Sequence, residues 1–523
     1  MKRFLALVLV IVLCCTSIVA CSSNGKVDSA SQSNETNEKT ADVTVAVTSE
    51  PAEPAKLFDE SFEITVMKTS HPSWPFQEDW YINKATEEKT NVQLKIEAIG
   101  GTGADYTNKI NLSLATGQLP DLIYGSLNFI DLYGSQGALL NIKDYMDQLP
   151  NFKKWCEENP LELLPYYSAD GSLYMFPMSG IGETNRIGYI YRKDIFNKHN
   201  LSIPKNEEEL YNVLVELKKL YPDTYPLTLR SSFGRFKVLA ESWGSGWEYY
   251  YDSSKKEWRY GAIEDNYKTM VAYFQKLYKE GLIPADWLTQ TTSAWQDAIG
   301  TEKSFITCDY LSRIDSFNTM IRGTNPDCEM AYLAPIKGGN NGVAKMGASA
   351  EAFGGYVISS QTKIRDKVLK FMDWYYTDEA KELVSWGEEG KTYQVVDGKR
   401  QYIDAPDLAT VCNKYGLGSF GTYQLYDFEA ELCTYTDELR SAVIEDRKYD
   451  MPIQPKMSFT AEEQDILKTV GVNLYDHMTE QISKFLLDQR PMSEWDNYVK
   501  EMKDLGVDQI VGLYRNAYDR LTK

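Results

Sequence analysis

The stretch Trp243-Gly244-Ser245-Gly246-Trp247 has residue types that suggest a contact surface. Two indoles flanked by glycines in a loop allow close approach of a ligand, which a packed helix would not need. Trp74, held inside His71-Pro72-Ser73-Trp74-Pro75, is another ring in a loop and serves equally well as a core cap pinned by prolines. Asp121 follows a predicted helix and either accepts ligand hydroxyls at a strand end or organises the turn. Rings combined with carboxylates, amides and guanidiniums suit a ligand that presents both apolar faces and polar rims. With 36 Tyr and 11 Trp among 523 residues, the chain has rings enough for a core and a groove.

Chemistry beyond binding finds little support. No GxSxG, HExxH, P-loop or kinase signature occurs, and Gly101-Thr102-Gly103 lacks the third glycine of a nucleotide loop. The 75 carboxylates guarantee accidental pairs, but none stands in a distinctive acid–base motif. The three histidines, His71, His199 and His477, have no metal-ligand spacing. A formal charge of −20 argues against a nucleic-acid partner, which needs clustered Lys and Arg. No catalytic residue, metal or cofactor is therefore expected.

The positioning elements read as α/β. Glu63 to Lys68 is a short β-rich run, Gln77 to Lys89 is helix-like, and Val92 to Ala98 alternates as a strand. A helix from about Asp105 to Thr116 precedes a third strand at Leu122-Ile123-Tyr124. Such alternation implies a parallel sheet with covering helices and ligands at the carboxyl ends of its strands. Asn206 with Glu209, and Thr460 with Glu463, are spaced as capping boxes, the second before a helical stretch to about Leu487. Ser493 and Asp508 are the expected caps of the last two helices. At this length two lobes are the default, and 43% hydrophobic with 25% charged residues is an ordinary globular composition.

Met1-Lys2-Arg3 followed by an apolar run to Val19 reads as a signal peptide over residues 1–20. Its end, Ile18-Val19-Ala20-Cys21, resembles a bacterial lipobox, which makes Cys21 the expected lipidation site. Residues 21–59 are then a polar leash without enough apolar surface to order it. Of the remaining cysteines, Cys156, Cys308, Cys328, Cys412 and Cys433, a Cys308–Cys328 or Cys412–Cys433 disulfide and buried free thiols both fit.

Several segments in order resemble family 1 extracellular solute-binding proteins, in particular their large Gram-positive lipoprotein subgroup. They are Ala115 to Ile123 (ATGQLPDLI), Asp170 to Pro177 (DGSLYMFP), Tyr191 to Phe196 (YRKDIF), Leu201 to Pro204, Gly355 to Ser359, Trp386 to Tyr393 (WGEEGKTY), Trp495 to Val499, Gly506-Val507 and Tyr514 to Arg520. The resemblance implies a two-lobe periplasmic-binding-protein-like α/β fold (type II) with a ligand cleft between the lobes. Lobe 1 is expected at 60–188 plus 308–384, and lobe 2 at 189–307 plus 385–523. It also implies a monomer on the outer face of a Gram-positive cell membrane, handing a solute, most often an oligosaccharide, to an ABC transporter permease. A secreted glycan-active hydrolase or lyase and a solute-sensing lipoprotein without a transport role are the rival readings.

On this analogy Trp295 sits before the return crossing, with Tyr310 and Arg313 just after it. Arg313 either clamps a hydroxyl or carboxylate bidentately or forms a structural ion pair. Trp386 and Glu389 stand in the WGEEGKTY loop, which serves hinge structure as much as ligand.

Overall fold

The computed structural model describes residues 55–180, 186–230, 233–347 and 352–523. The expected signal peptide, Cys21 and most of the leash lie outside them. Strand β1 (Phe62–Thr69) is a β-branched run with Ile64, Val66 and Met67 buried, so both faces of its sheet are covered. It pairs in parallel with β2 (Val92–Ile99) and β3 (Leu122–Gly125), as the sequence pattern predicts. Strand β4 (Met175–Pro177) is added at the far edge of this sheet. The chain then builds β5 (Ile187–Arg192), β6 (Leu227–Leu229), the hairpin β7 (Tyr249–Asp252) and β8 (Glu257–Tyr260), β9 (Ile306–Tyr310) and β10 (Met330–Leu333). It returns to the first sheet for β11 (Gly355–Ile358) and closes its strands with the hairpin β12 (Tyr393–Val396) and β13 (Lys399–Tyr402).

The result is a five-stranded sheet, β2-β1-β3-β11-β4, and a four-stranded sheet, β10-β5-β9-β6. Both are mixed: β11 is antiparallel to β3 and β4, and β5 is antiparallel to β9 and β10. The first core draws on Ile64 to Met178 and again on Ala352 to Ala430. The second draws on Tyr189 to Met346 and again on Met457 to Ala517. This corrects the expected lobe boundaries. Strands β9 and β10 belong to the second sheet, so the chain returns to lobe 1 after Met346 rather than at 308, and leaves it after Ala430 rather than at 385. An apolar strand pattern does not say which of two sheets it joins; only the pairing of Ile187 with Tyr310 and of Leu333 with Tyr189 does so.

Crossings occur at the same edge of each sheet. β4 ends where Pro177 meets Gly355, and β5 begins where Ile187 meets Tyr310. Thus the carboxyl ends of β1, β3 and β4 and those of β6, β9 and β10 adjoin the connecting segments.

Helix ends follow local chemistry. Asn206 accepts a hydrogen bond from the Glu209 amide (2.9 Å), while the Glu209 carboxylate reaches back to the Lys205 amide (2.9 Å). We expect Asn206→Ala to cost about 1 kcal/mol in urea unfolding, because it leaves a first-turn N–H without its cap. Thr460 and Glu463 form the reciprocal box, and the long helix beyond it is interrupted by a π-turn, Leu467–Gly471. Ser493 is not a cap: it lies in the 3-10 turn Met492–Glu494 ahead of the helix Trp495–Asp504. Asp508 sits inside the first turn of the helix Val507–Thr522, where its charge faces the positive dipole end, and Gly506 (φ 106) makes the entry. All five described cysteines are free thiols, so neither disulfide forms.

Candidate functional site

The carboxyl edge of the second sheet carries a charge cluster assembled from five elements. Arg230 follows β6, Arg235 lies in the helix Phe233–Ser242, Asp309 and Tyr310 end β9, Arg313 opens the helix Arg313–Arg322, and Trp295 lies in the helix Thr292–Gly300. Asp309 is fully buried. It accepts from Arg230 Nε and Arg235 Nε (both 2.8 Å), Arg230 Nη2 (3.1 Å), Arg313 Nε (3.4 Å) and the Tyr310 amide (2.8 Å). Burial would raise its carboxyl pKa, but the hydrogen bonds from Arg230 and Arg235 outweigh this and hold it below the usual range. The Arg235 guanidinium lies 4.3 Å from the Tyr310 ring centre, and Arg230 lies 5.5 Å from both Tyr310 and Trp295. Beside the cluster, Phe233 and Trp247 pack with ring centres 5.0 Å apart, both partly exposed.

The carboxyl edge of the first sheet is aromatic. Tyr124, at the end of β3, stacks on Phe420 (6.5 Å, 11°), and Phe353, just ahead of β11, meets Phe420 edge-on (5.8 Å). Phe420 is 37% exposed. In the turn after β1, Trp74 stacks on His71 (3.6 Å, 10°), with its loop tied down by Asn413 Nδ2 donating to the Ser73 carbonyl.

Four predicted contact residues are engaged in structural contacts. Asp121 stands at the amino end of β3, where its carboxylate accepts from the Thr65 amide and hydroxyl and from Thr362. It ties β1 to the turn after β11 at the edge opposite the crossings. Trp243 is buried over Gly338, where a Cβ would come within 2.2 Å of the indole, and packs on Tyr273. The glycines of its loop serve backbone packing rather than ligand approach: a Cβ on Gly244 would meet the Asn341 carbonyl at 2.7 Å. Trp295 is fully buried and donates to Thr307 (2.9 Å). Trp386 is buried, stacks on Tyr402 and donates to Asp427 (2.8 Å). It also lines a hollow of about 510 Å³ beside the β12–β13 hairpin, together with Arg400 and Arg440. Glu389 is exposed on the turn after the helix Asp378–Ser385, bridged to Tyr393. Trp74, Trp247, Tyr310 and Arg313 remain near the carboxyl edges.

Arg230, Arg235 and Asp309, with the ring pair Tyr124 and Phe420, are missing from the sequence reading. The signal was there: a strand-end charge after LTL at 227–229 and another inside ITCDY at 306–310 are the positions where an open sheet places its ligand groups. Locating them requires knowing that these short runs are strands of a second sheet.

The profile of the bacterial extracellular solute-binding proteins matches residues 80–386 of this chain. The chain belongs to that family. Among its relatives, this solute-binding protein is 23% identical over 465 residues to the fructooligosaccharide ABC transporter substrate-binding protein FusA of Streptococcus pneumoniae, covering 80% of this chain and 83% of FusA. It is 24% identical over 469 residues to the polygalacturonan/rhamnogalacturonan-binding protein YtcQ of Bacillus subtilis, covering 83% and 87%. Its fold matches that of an HMO binding ABC-transporter associated solute-binding protein of Bifidobacterium longum infantis, with a TM-score of 0.69 at 17% identity over 89% of this chain and 100% of the other. It also matches the alginate-binding protein AlgQ2, with a TM-score of 0.63 at 23% identity over 89% and 99%. The two-lobe architecture expected from the sequence is the architecture found.

Proposed function

We propose that this solute-binding protein is the extracellular receptor of an ABC importer: it captures an oligosaccharide between its lobes and releases it unaltered to the permease. One observation carries the reading. Rings on the carboxyl edge of one sheet and hydrogen-bond donors on that of the other are the two kinds of surface a sugar needs. Relatives named for oligosaccharide and polysaccharide ligands support it. Hinge closure at the crossings would trap the solute, and a lipid on Cys21 with the polar leash of 21–59 would keep the receptor at the outer membrane face. Trp74, Tyr124, Trp247, Phe353 and Phe420 supply stacking faces; Tyr310 and Arg313 supply polar contacts.

A melting-temperature panel of oligosaccharides tests this. A true ligand at about a hundredfold its dissociation constant stabilises the fold by ~2.7 kcal/mol. Phe420→Ala removes a half-exposed ring and is expected to weaken binding roughly tenfold with little change in the unliganded melt. Stabilisation by peptides with none by any glycan would remove the sugar and leave the receptor. Release of reducing ends from a bound glycan would instead favour the hydrolase reading.

A further inference from the structure

We propose that the solute carries carboxylates: the second lobe is built to hold a uronate-type acidic sugar, a reading that rests on the receptor function above and specifies its ligand. Three guanidiniums, Arg230, Arg235 and Arg313, converge on a single carboxylate, Asp309. One anion neutralises one of them, which leaves two positive charges within the cluster. Both Asp309 oxygens are already occupied, Oδ2 by two Nε donors and Oδ1 by Arg230 Nη2, Arg313 Nε and the Tyr310 amide. The terminal nitrogens of Arg235 and Arg313 have no carboxylate partner among the described residues. Arg186, one strand away, adds no further positive charge, because Asp446 and Asp450 hold it.

The side chains of Arg230, Arg235 and Arg313 are only 15%, 9% and 26% exposed, so water screens this surplus incompletely. Two helices, Phe233–Ser242 and Arg313–Arg322, also begin at these strand ends and turn their positive dipole ends toward the same place. Keeping partly buried like charges together is unfavourable, and an arriving anion relieves it. The Arg235 plane is fixed by stacking on Tyr310, and Arg230 already grips Asp309 with two parallel N–H groups, the geometry that matches a planar carboxylate. A neutral sugar would leave the surplus charge uncompensated.

Calorimetry on the full protein decides it, with trigalacturonate, its carboxyl-reduced neutral counterpart and a sulfated form of that counterpart as probes. The uronate is expected to bind at least about tenfold tighter than the neutral trisaccharide, and to weaken from about 20 mM to about 0.5 M salt while the neutral form does not. Arg313→Gln, the most exposed of the three, is expected to lower uronate affinity roughly 10- to 100-fold and neutral affinity by clearly less, so that the preference for the uronate shrinks. Equal or tighter binding of the neutral trisaccharide would overturn the acidic ligand and leave the receptor standing. Preference for the sulfated form would overturn the carboxylate. Failure of every glycan, charged or neutral, would overturn the sugar reading on which this proposal rests.

Discussion

Asp309→Ala is expected to destabilise the second lobe by about 3–5 kcal/mol, because it removes the carboxylate that Arg230, Arg235 and Arg313 share. The residue is fully buried, and its loss leaves three guanidiniums to repel one another around the vacated site. Asp309→Asn keeps the shape and some acceptor capacity and should fall between the two. The native carboxyl titrates below its ordinary value of 3.8. Its stabilising contribution is therefore present above that value and is lost as pH falls through the lower native one. Urea unfolding of the alanine variant checks this; a loss under about 1 kcal/mol would mean that the arginines find other partners and that the cluster is not organised by Asp309.

Lys68→Met is expected to make the protein more stable. Lys68 lies on β1 with its side chain buried, its ammonium about 5 Å from the rings of Phe76 (5.1 Å) and Trp80 (5.5 Å), and no hydrogen-bond partner for Nζ among the described residues. Burial pushes its pKa from 10.5 down to about 7, with Cys412 opposing weakly. A shift of that size corresponds to a cost of about 5 kcal/mol for the charged form. Between about 7 and 10.5 the unfolded chain binds the proton and the native state does not, so wild-type stability rises with pH across that window, and the full cost is present below it. Methionine fills the same volume without the charge, so the gain at pH 7 should be about 2–4 kcal/mol and the alkaline slope should flatten. Unfolding curves from pH 6 to 10 test both parts. A variant no more stable than wild type, with the slope intact, would show that the amine is solvated or paired.

Lys68 and Asp309 show where residue type and residue fate separate. A lysine in EITVMK reads as an ordinary strand charge, and only the loops that fold over β1, bringing Gly421 and the Trp80 ring against it, bury it. The tryptophans show the reverse. Their glycine neighbours suggest open access at Trp243, yet Gly338 comes close enough to bury the ring. Composition and loop position are silent on this, because burial is set by what other segments, some a hundred residues away, place on top.

What the sequence determined by itself is local. The first three strands, the helix between β2 and β3, the cap at Asn206 and the box at Thr460 depend on side-chain periodicity and on hydrogen bonds to residues three or four away, and these are written in consecutive letters. The resemblance of ordered segments likewise sufficed for the two-lobe fold. Tertiary structure alone decided which sheet received β9 and β10, and hence that Arg230, Arg235, Asp309 and Arg313 meet. Sheet membership is a matter of pairing between distant segments, and an ion cluster assembled from four such elements has no one-dimensional trace.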